Sequence, residues 1–158
     1  MKALDVARYL ITLNDKECKI KEEKNDLSKL KIQKLLYYTQ GYYSALYDKY
    51  LFEEEIEARK YGPVVKKVYN EFKKEIEGNF VPTDKYKMGN EEIKKMNKEE
   101  KQLIEDVFLL MGQYSAWRLR DKTHEEDPWK NNYISGKKNI KIPKEDIKKY
   151  FKKYVENE

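Results

Sequence analysis

The central helix of this protein is predicted by the sequence Lys31-Ile32-Gln33-Lys34-Leu35-Leu36-Tyr37-Tyr38-Thr39-Gln40-Gly41-Tyr42-Tyr43. Its apolar and aromatic side chains recur at helical spacing, and they cover more of the circumference than one face of an amphipathic helix. Asp26 or Ser28 can cap the start of this helix, which continues to about Tyr47. Because so little of its surface is polar, we expect the other elements of the domain to surround it.

The segments on either side of the central helix predict further helices. Residues 2–14 follow a helical period, and the charged residues 15–25 are expected to form a loop or a frayed helix end. Gly62-Pro63 predicts the start of a third helix, because a proline at the first helical position loses no hydrogen bond. Capping or proline signals predict three more helix starts, at Asn97, Ser115 and Pro143.

Signals for β structure are few. Residues 51–61 lack a clean helical period and are interpreted as extended chain or a short strand. Ser135-Gly136 lies between short isoleucine-containing runs, so the clearest hairpin signal falls in residues 131–143. The sequence therefore predicts a mostly α, compact helical fold around a central helix, with a small β-hairpin, as a single domain over residues 1–158.

The composition restricts the function classes. Of the 158 residues, 40% are charged, and the net charge of +5 rests mainly on lysine. Such a balance favours solubility first and weak attraction to nucleic acid or to an acidic partner second. One cysteine and one histidine argue against an internal disulfide and a histidine-based metal site. No apolar run approaches the ~20 residues that span a membrane, and no signal peptide is recognisable, so we expect a cytoplasmic protein. The sequence has no phosphate-binding loop and no metal-ligand cluster, so we expect no cofactor.

Four side chains form a polar line beside the apolar stripe of the central helix, because they are spaced by four, three and four residues: Gln33, Tyr37, Gln40 and Ser44. Buried amides and hydroxyls need partners, since an unpaired group costs roughly 1–3 kcal/mol. The polar line is therefore either an internal hydrogen-bond network or the floor of a groove that recognises a partner.

Two other motifs carry side chains that can contact a partner. Tyr61 precedes Gly62-Pro63, where the motif either sets the geometry of a turn or offers free helix-start amides to an acidic group. His124 can stabilise a helix end or contact a partner. Trp129 can anchor its loop on the core or act as a binding hot spot.

Three blocks of this sequence, taken together, resemble the Panacea (SocA-like) antitoxin domain. The blocks are residues 31–43, 57–65 and 115–129, and the resemblance extends over about residues 27–151. It implies a protein that binds a cognate toxin and neutralises it by direct contact. Some domains of this kind resemble adaptors that hand the toxin to a cellular protease, and phage-borne copies are common. The family often has tryptophan where Arg59 stands, and it brings no catalytic residue.

From the motifs and the resemblance we place the partner-binding surface at Gln33, Tyr37, Gln40, Tyr61, His124 and Trp129. Two other function classes remain open at this stage. The lysine-rich helix faces and the positive charge allow a DNA-binding autoregulator of its own operon, although no recognition helix stands out. His124 with Glu125 or Glu126 could perform acid–base catalysis, but no nucleophile or cofactor motif lies near them, so we expect no enzyme.

Overall fold

The computed structural model of the protein describes residues 1–155, which form nine helices and one two-stranded sheet. In chain order these elements are α1 (Ala3–Lys21), α2 (Lys29–Tyr47), β1 (Ile56–Arg59), β2 (Gly62–Val65), α3 (Lys66–Glu75), α4 (Thr83–Tyr86), α5 (Asn90–Lys94), α6 (Lys98–Met111), α7 (Ala116–His124), α8 (Asp127–Lys130) and α9 (Lys144–Val155). The predicted mostly α fold is confirmed. Residues 156–158 of the predicted domain lie outside the described residues.

Helix α2 lies at the centre of the fold, as predicted. The Ser28 hydroxyl caps its start by accepting a hydrogen bond from the Lys31 amide at 3.1 Å. Helices α1, α3, α6, α7 and α9 and strand β2 all pack against α2. Every residue from Ile32 to Gly41 is therefore buried, polar residues included, and those polar groups need partners inside the protein.

Helix α9 approaches α2 closely at Gly41. A β-carbon at Gly41 would collide with the ring of Phe151, so a larger residue there would push α9 away. The Phe151 ring lies edge-on to three rings of α2, with centroid distances of 5.5 Å to Tyr37, 5.9 Å to Tyr38 and 4.9 Å to Tyr42. This aromatic cluster joins α9 to the centre of the fold.

Helix α1 is longer than predicted. The sequence predicts a loop or a frayed helix end over residues 15–25, whereas the helix continues to Lys21. Two ion pairs between residues four apart stabilise the added turns, Lys19–Asp15 at 2.9 Å and Lys21–Glu17 at 3.0 Å. An exposed helical segment rich in charge carries no apolar period, so the sequence pattern did not distinguish it from a loop.

The β-hairpin lies at residues 56–65, so its predicted position at residues 131–143 is wrong. Gly136 does form a turn, with φ at +80°. The segment after that turn extends along β1 instead of pairing with the segment before it. The Ala58 amide donates to the Ile140 carbonyl at 2.8 Å, and the Ile142 amide donates to the Ile56 carbonyl at 2.8 Å.

The predicted helix start at Pro63 is also wrong, because Gly62–Val65 is strand β2 and α3 begins at Lys66. Pro63 stands opposite Ala58 in the antiparallel register, and the Ala58 amide points away from it toward Ile140. Pro63 therefore occupies a position where the ladder needs no amide donor, and the strand tolerates a proline there.

Candidate partner-binding site

Two neighbouring side chains of α2 hold the outer edge of strand β2. Gln33 Nε2 donates to the Val65 carbonyl at 3.3 Å, and Gln33 Oε1 accepts from the Val65 amide at 2.7 Å, as the backbone of a third strand would. Lys34 Nζ donates to the Pro63 carbonyl at 3.0 Å. Since Pro63 has no amide proton, these three bonds satisfy the backbone groups that Pro63 and Val65 direct away from β1.

Trp129 and His124 hold the turn of the hairpin. Trp129 Nε1 donates to the Arg59 carbonyl at 2.7 Å. The Trp129 ring stacks on His124 with centroids 3.9 Å apart and on Tyr133 with centroids 4.6 Å apart. The His124 ring also hydrogen-bonds the backbone of Lys60. Trp129 and His124, both predicted as site residues, thus lie together. They hold the backbone of Arg59 and Lys60 at the turn of the hairpin.

Tyr37 and Gln40 are buried away from the hairpin edge. Gln40 Nε2 donates to the Phe52 carbonyl at 2.7 Å, and Gln40 Oε1 accepts from the Leu51 amide at 2.9 Å. The Tyr37 hydroxyl lies in the core beside the Glu126 carboxylate. Of the two alternatives for the polar line of the central helix, Gln33 and Gln40 therefore show the internal hydrogen-bond network.

Two buried ionisable side chains titrate near neutral pH. Lys34 is 0% exposed and forms no ion pair within residues 1–155, so burial lowers its pKa to about 7. Burial also raises the pKa of Glu126 to about 7, although its Oε2 accepts from the Tyr38 hydroxyl at 3.0 Å and lies 3.6 Å from Lys122 Nζ. Both pKa shifts are caused by burial, because an exposed lysine would be fully charged at pH 7 and an exposed glutamate fully ionised.

The His124 ring is held between the Trp129 ring and the backbone of Lys60. Burial, followed by the charges of Arg120 and Lys34, lowers the pKa of His124, so its ring is mostly neutral at pH 7. His124 Nε2 is buried and has no hydrogen-bond partner among residues 1–155. No group of three or more His, Cys, Asp or Glu side chains in that range is placed to hold a metal ion.

The turn of the hairpin presents Tyr61 to solvent next to Trp117 of α7. The Tyr61 and Trp117 side chains are 46% and 56% exposed, and their rings meet edge-on at a centroid distance of 6.0 Å. The Arg120 guanidinium lies 4.4 Å from the centroid of the Trp117 ring. We call these three residues the aromatic–arginine cluster. Tyrosine, tryptophan and arginine are the residues most enriched in binding hot spots.

A groove with a volume of about 580 Å³ opens beside Tyr61, between α2, the hairpin and α3. Its apolar lining includes Leu30, Val64 and Phe72, and three lysines lie along it, Lys29, Lys60 and Lys73. No aspartate or glutamate is among its lining residues. We call this feature the basic groove. Of the predicted site residues, Gln33 and Tyr61 line it.

Arg59 forms one wall of the basic groove. Its guanidinium donates to Glu57 Oε1 at 2.8 Å, and it lies 4.3 Å from the centroid of the Tyr69 ring. Glu57 is 2% exposed and lies behind the arginine, so the Arg59 charge is compensated from inside the protein. The arginine thus takes part in packing the groove wall rather than standing free in solvent.

Sequence reasoning did not identify Trp117, Arg120 or Lys34 as site residues. Trp117 and Arg120 are three residues apart on a helix, and this spacing could have indicated that they share a face. A lysine inside a helix that is apolar on every side could have indicated a buried charge. The approach of α7 to the hairpin turn depends on tertiary packing, which no local pattern in the sequence carries.

The family model described as "Antitoxin SocA-like, Panacea domain" matches residues 32–130, which is more than half of the chain. No curated protein and no solved structure matches the chain. The matched range contains the hairpin, the aromatic–arginine cluster and every predicted site residue, whereas α1 and α9 lie outside it. Within residues 1–155, no helix has the length and apolar character needed to cross a bilayer.

Proposed function

The chain belongs to the family of SocA-like antitoxins with a Panacea domain, and we propose that it neutralises a cognate toxin by direct contact through the hairpin face. The family supports a role in a toxin–antitoxin system. The direct contact is our inference from the surface that the hairpin turn and α7 form together.

The aromatic–arginine cluster is the observation that carries this proposal. Trp117 contacts both Tyr61 and Arg120, and the Tyr61 and Trp117 rings are exposed to solvent. The Arg120 side chain is 28% exposed, and its guanidinium is paired with Asp121 at 2.6 Å. A partner that covers them would bury a large apolar area at little cost in side-chain entropy, because the rings already restrain one another. The bonds from Gln33, Lys34 and Trp129 hold the hairpin in place, so the surface is formed before the partner arrives.

Co-expression with the product of the neighbouring gene tests the proposal. We expect the wild-type protein to restore growth and to co-purify with that product. A double variant, Tyr61→Ala with Trp117→Ala, should lose both properties while its unfolding free energy changes little, since both side chains are largely exposed. Leu109→Ala is a suitable control, because Leu109 is 71% exposed on α6 and lies outside the cluster.

Two outcomes would contradict different parts of the proposal. If the wild-type protein neither restores growth nor co-purifies, the antitoxin function is wrong. If the double variant restores growth as well as the wild type does, the contact surface lies elsewhere. Toxin abundance separates direct inhibition from delivery to a protease, because inhibition leaves the amount of toxin unchanged and delivery lowers it in a protease-dependent way.

A further inference from the structure

We propose that the basic groove binds an extended, acidic segment of the partner that carries an apolar anchor side chain. This inference rests on the proposed function, because it takes the partner to be the toxin. It adds the chemistry of the segment, which neither the family nor the aromatic–arginine cluster specifies.

The apolar lining of the groove provides the site for the anchor. Leu30, Val64 and Phe72 contribute to it, and the volume of about 580 Å³ is large enough for several side chains. Phe72 and Val64 belong to the packed interior, with 1% and 7% of their surfaces exposed, so the groove does not depend on mobile side chains for its shape. An apolar side chain of the partner would therefore enter a preformed site.

The charges of the groove select an acidic segment. Lys60 and Lys73 are exposed and form no ion pair within residues 1–155, and Lys29 Nζ donates only to the Ile76 carbonyl, an uncharged acceptor. The Arg59 charge is already compensated by Glu57. Three lysines thus remain without carboxylate partners around an apolar surface, where carboxylates of a bound segment would be attracted more strongly than in open solvent.

The segment must bind through its side chains, because the hairpin offers no free edge for an added strand. Gln33 and Lys34 occupy the outward-facing backbone groups of β2. Residues 140–142 cover the outer edge of β1 through the hydrogen bonds of Ala58 and Ile56. Strand addition, the commonest way to recognise an extended segment at a sheet edge, is therefore closed here.

A peptide is favoured over nucleic acid at this surface. Nucleic-acid sites rely on arginine forks for phosphates, and the guanidinium that lines this groove, that of Arg59, is engaged by Glu57 and Tyr69. The exposed Tyr61 and Tyr69 could stack on bases, so nucleic acid is included as an outcome of the test.

An array of random 12-residue peptides, probed with the purified full-length protein, tests the inference without the toxin. We expect the retained peptides to be enriched in aspartate and glutamate around a leucine, isoleucine or aromatic residue. Lys73→Glu should weaken binding of the best peptide about fivefold or more, measured by fluorescence anisotropy. Lys74→Glu is the matched control, because Lys74 is the next residue of the same helix turn, carries the same charge and does not line the groove.

Four results would overturn the inference. The retained peptides could show no preference for acidic residues, or Lys74→Glu could weaken binding as much as Lys73→Glu does. A 20-nucleotide single strand could bind in place of the peptide, in a way that Lys73→Glu abolishes, which would assign the groove to nucleic acid. Growth restored fully by the Lys73→Glu variant would show that the toxin does not bind through the basic groove, and it would leave the proposed function unaffected. Acidic-peptide binding without any rescue by the wild type would overturn only the proposed function.

Discussion

Gly62 lies where strand β2 meets α2 and α7, and its backbone has φ at +106°, which favours glycine. A β-carbon at Gly62 would lie 2.8 Å from Thr123 Oγ1 and 2.9 Å from Lys34 Cε. Both neighbours are fully buried, so neither can move away freely. We therefore expect Gly62→Ala to lower the free energy of unfolding in urea by roughly 2 kcal/mol or more, from strain and crowding together.

Gly136→Ala separates these two causes. Gly136 also has a positive φ, at +80°, but a β-carbon there would meet nothing within 4 Å. The Gly136 variant should therefore show only the conformational cost, about 1 kcal/mol. Equal losses in the two variants would show that the contacts of Gly62 with Lys34 and Thr123 do not matter for stability.

The buried Lys34 makes stability depend on pH on the alkaline side of neutrality. Its pKa is about 7 in the folded protein and about 10.4 in an unfolded chain, so the unfolded state binds the extra proton between these values. Stability gained from this group is present at high pH and is lost as pH falls toward 7. We expect the unfolding free energy of the wild type, relative to Lys34→Met, to rise by about 3 kcal/mol from pH 7 to pH 9.5.

Glu126 gives the opposite slope on the acidic side. Its pKa is about 7 when folded and about 4.3 when unfolded, so the folded state holds the extra proton between these values. Stability from this group is present at low pH and is lost as pH rises to 7. The wild type should lose about 2 kcal/mol relative to Glu126→Gln between pH 5 and pH 7 in urea titrations. If the unfolding free energies of the wild type, Lys34→Met and Glu126→Gln change in parallel with pH, neither Lys34 nor Glu126 is buried as described.

At the scale of the elements, the hairpin depends on a side chain that replaces a strand. Gln33 pairs with both backbone groups of Val65, which is 0% exposed. Gln33→Leu keeps the apolar part of the side chain and leaves a buried amide and a buried carbonyl unpaired, at a cost of about 2 kcal/mol or more. We expect amide hydrogen exchange at Val65 to accelerate at least about tenfold relative to amides in the middle of α2.

Gln40→Leu is the control for this exchange experiment. Gln40 makes the same kind of double contact, but with the backbone at Leu51 and Phe52. Its loss should accelerate exchange at those two amides and leave Val65 protected. If both variants accelerate exchange evenly over the whole chain, the hairpin is not a separate unit of local stability.

The elements differ in how far the sequence could predict them. Helix α2 was predictable because its cap at Ser28 and its apolar residues are local signals. Strand β2 of the hairpin was missed because Pro63 has the same local signature in a helix start as in a strand position that needs no donor. The candidate surface was predictable only in part. Tyr61 stood out beside Gly62-Pro63, whereas the contact of Tyr61 with Trp117 joins residues far apart in the sequence.

At the scale of the whole molecule, the residues that match the family model do not include all the residues that pack around α2. The matched residues 32–130 include most of α2 but neither α1 nor α9, and both of those helices pack on α2. The rings of Tyr37 and Tyr38 are 0% exposed, and Phe151 of α9 is part of their cover. We infer that the matched range is not an independent folding unit and that α9 belongs to the same domain.

Removal of residues 144–158 tests that inference. The truncated protein would expose the aromatic surface of α2 that Phe151 covers, and each buried ring is worth about 2–3 kcal/mol of transfer free energy. We expect it to lose its cooperative urea transition and to bind a hydrophobic dye, while far-ultraviolet circular dichroism retains much helix. Phe151→Leu keeps α9 and part of the cover, so it should unfold cooperatively at a lower urea concentration. A truncated protein with the wild-type midpoint would place α9 outside the domain, and the Gly41 contact would then have no role in holding the fold together.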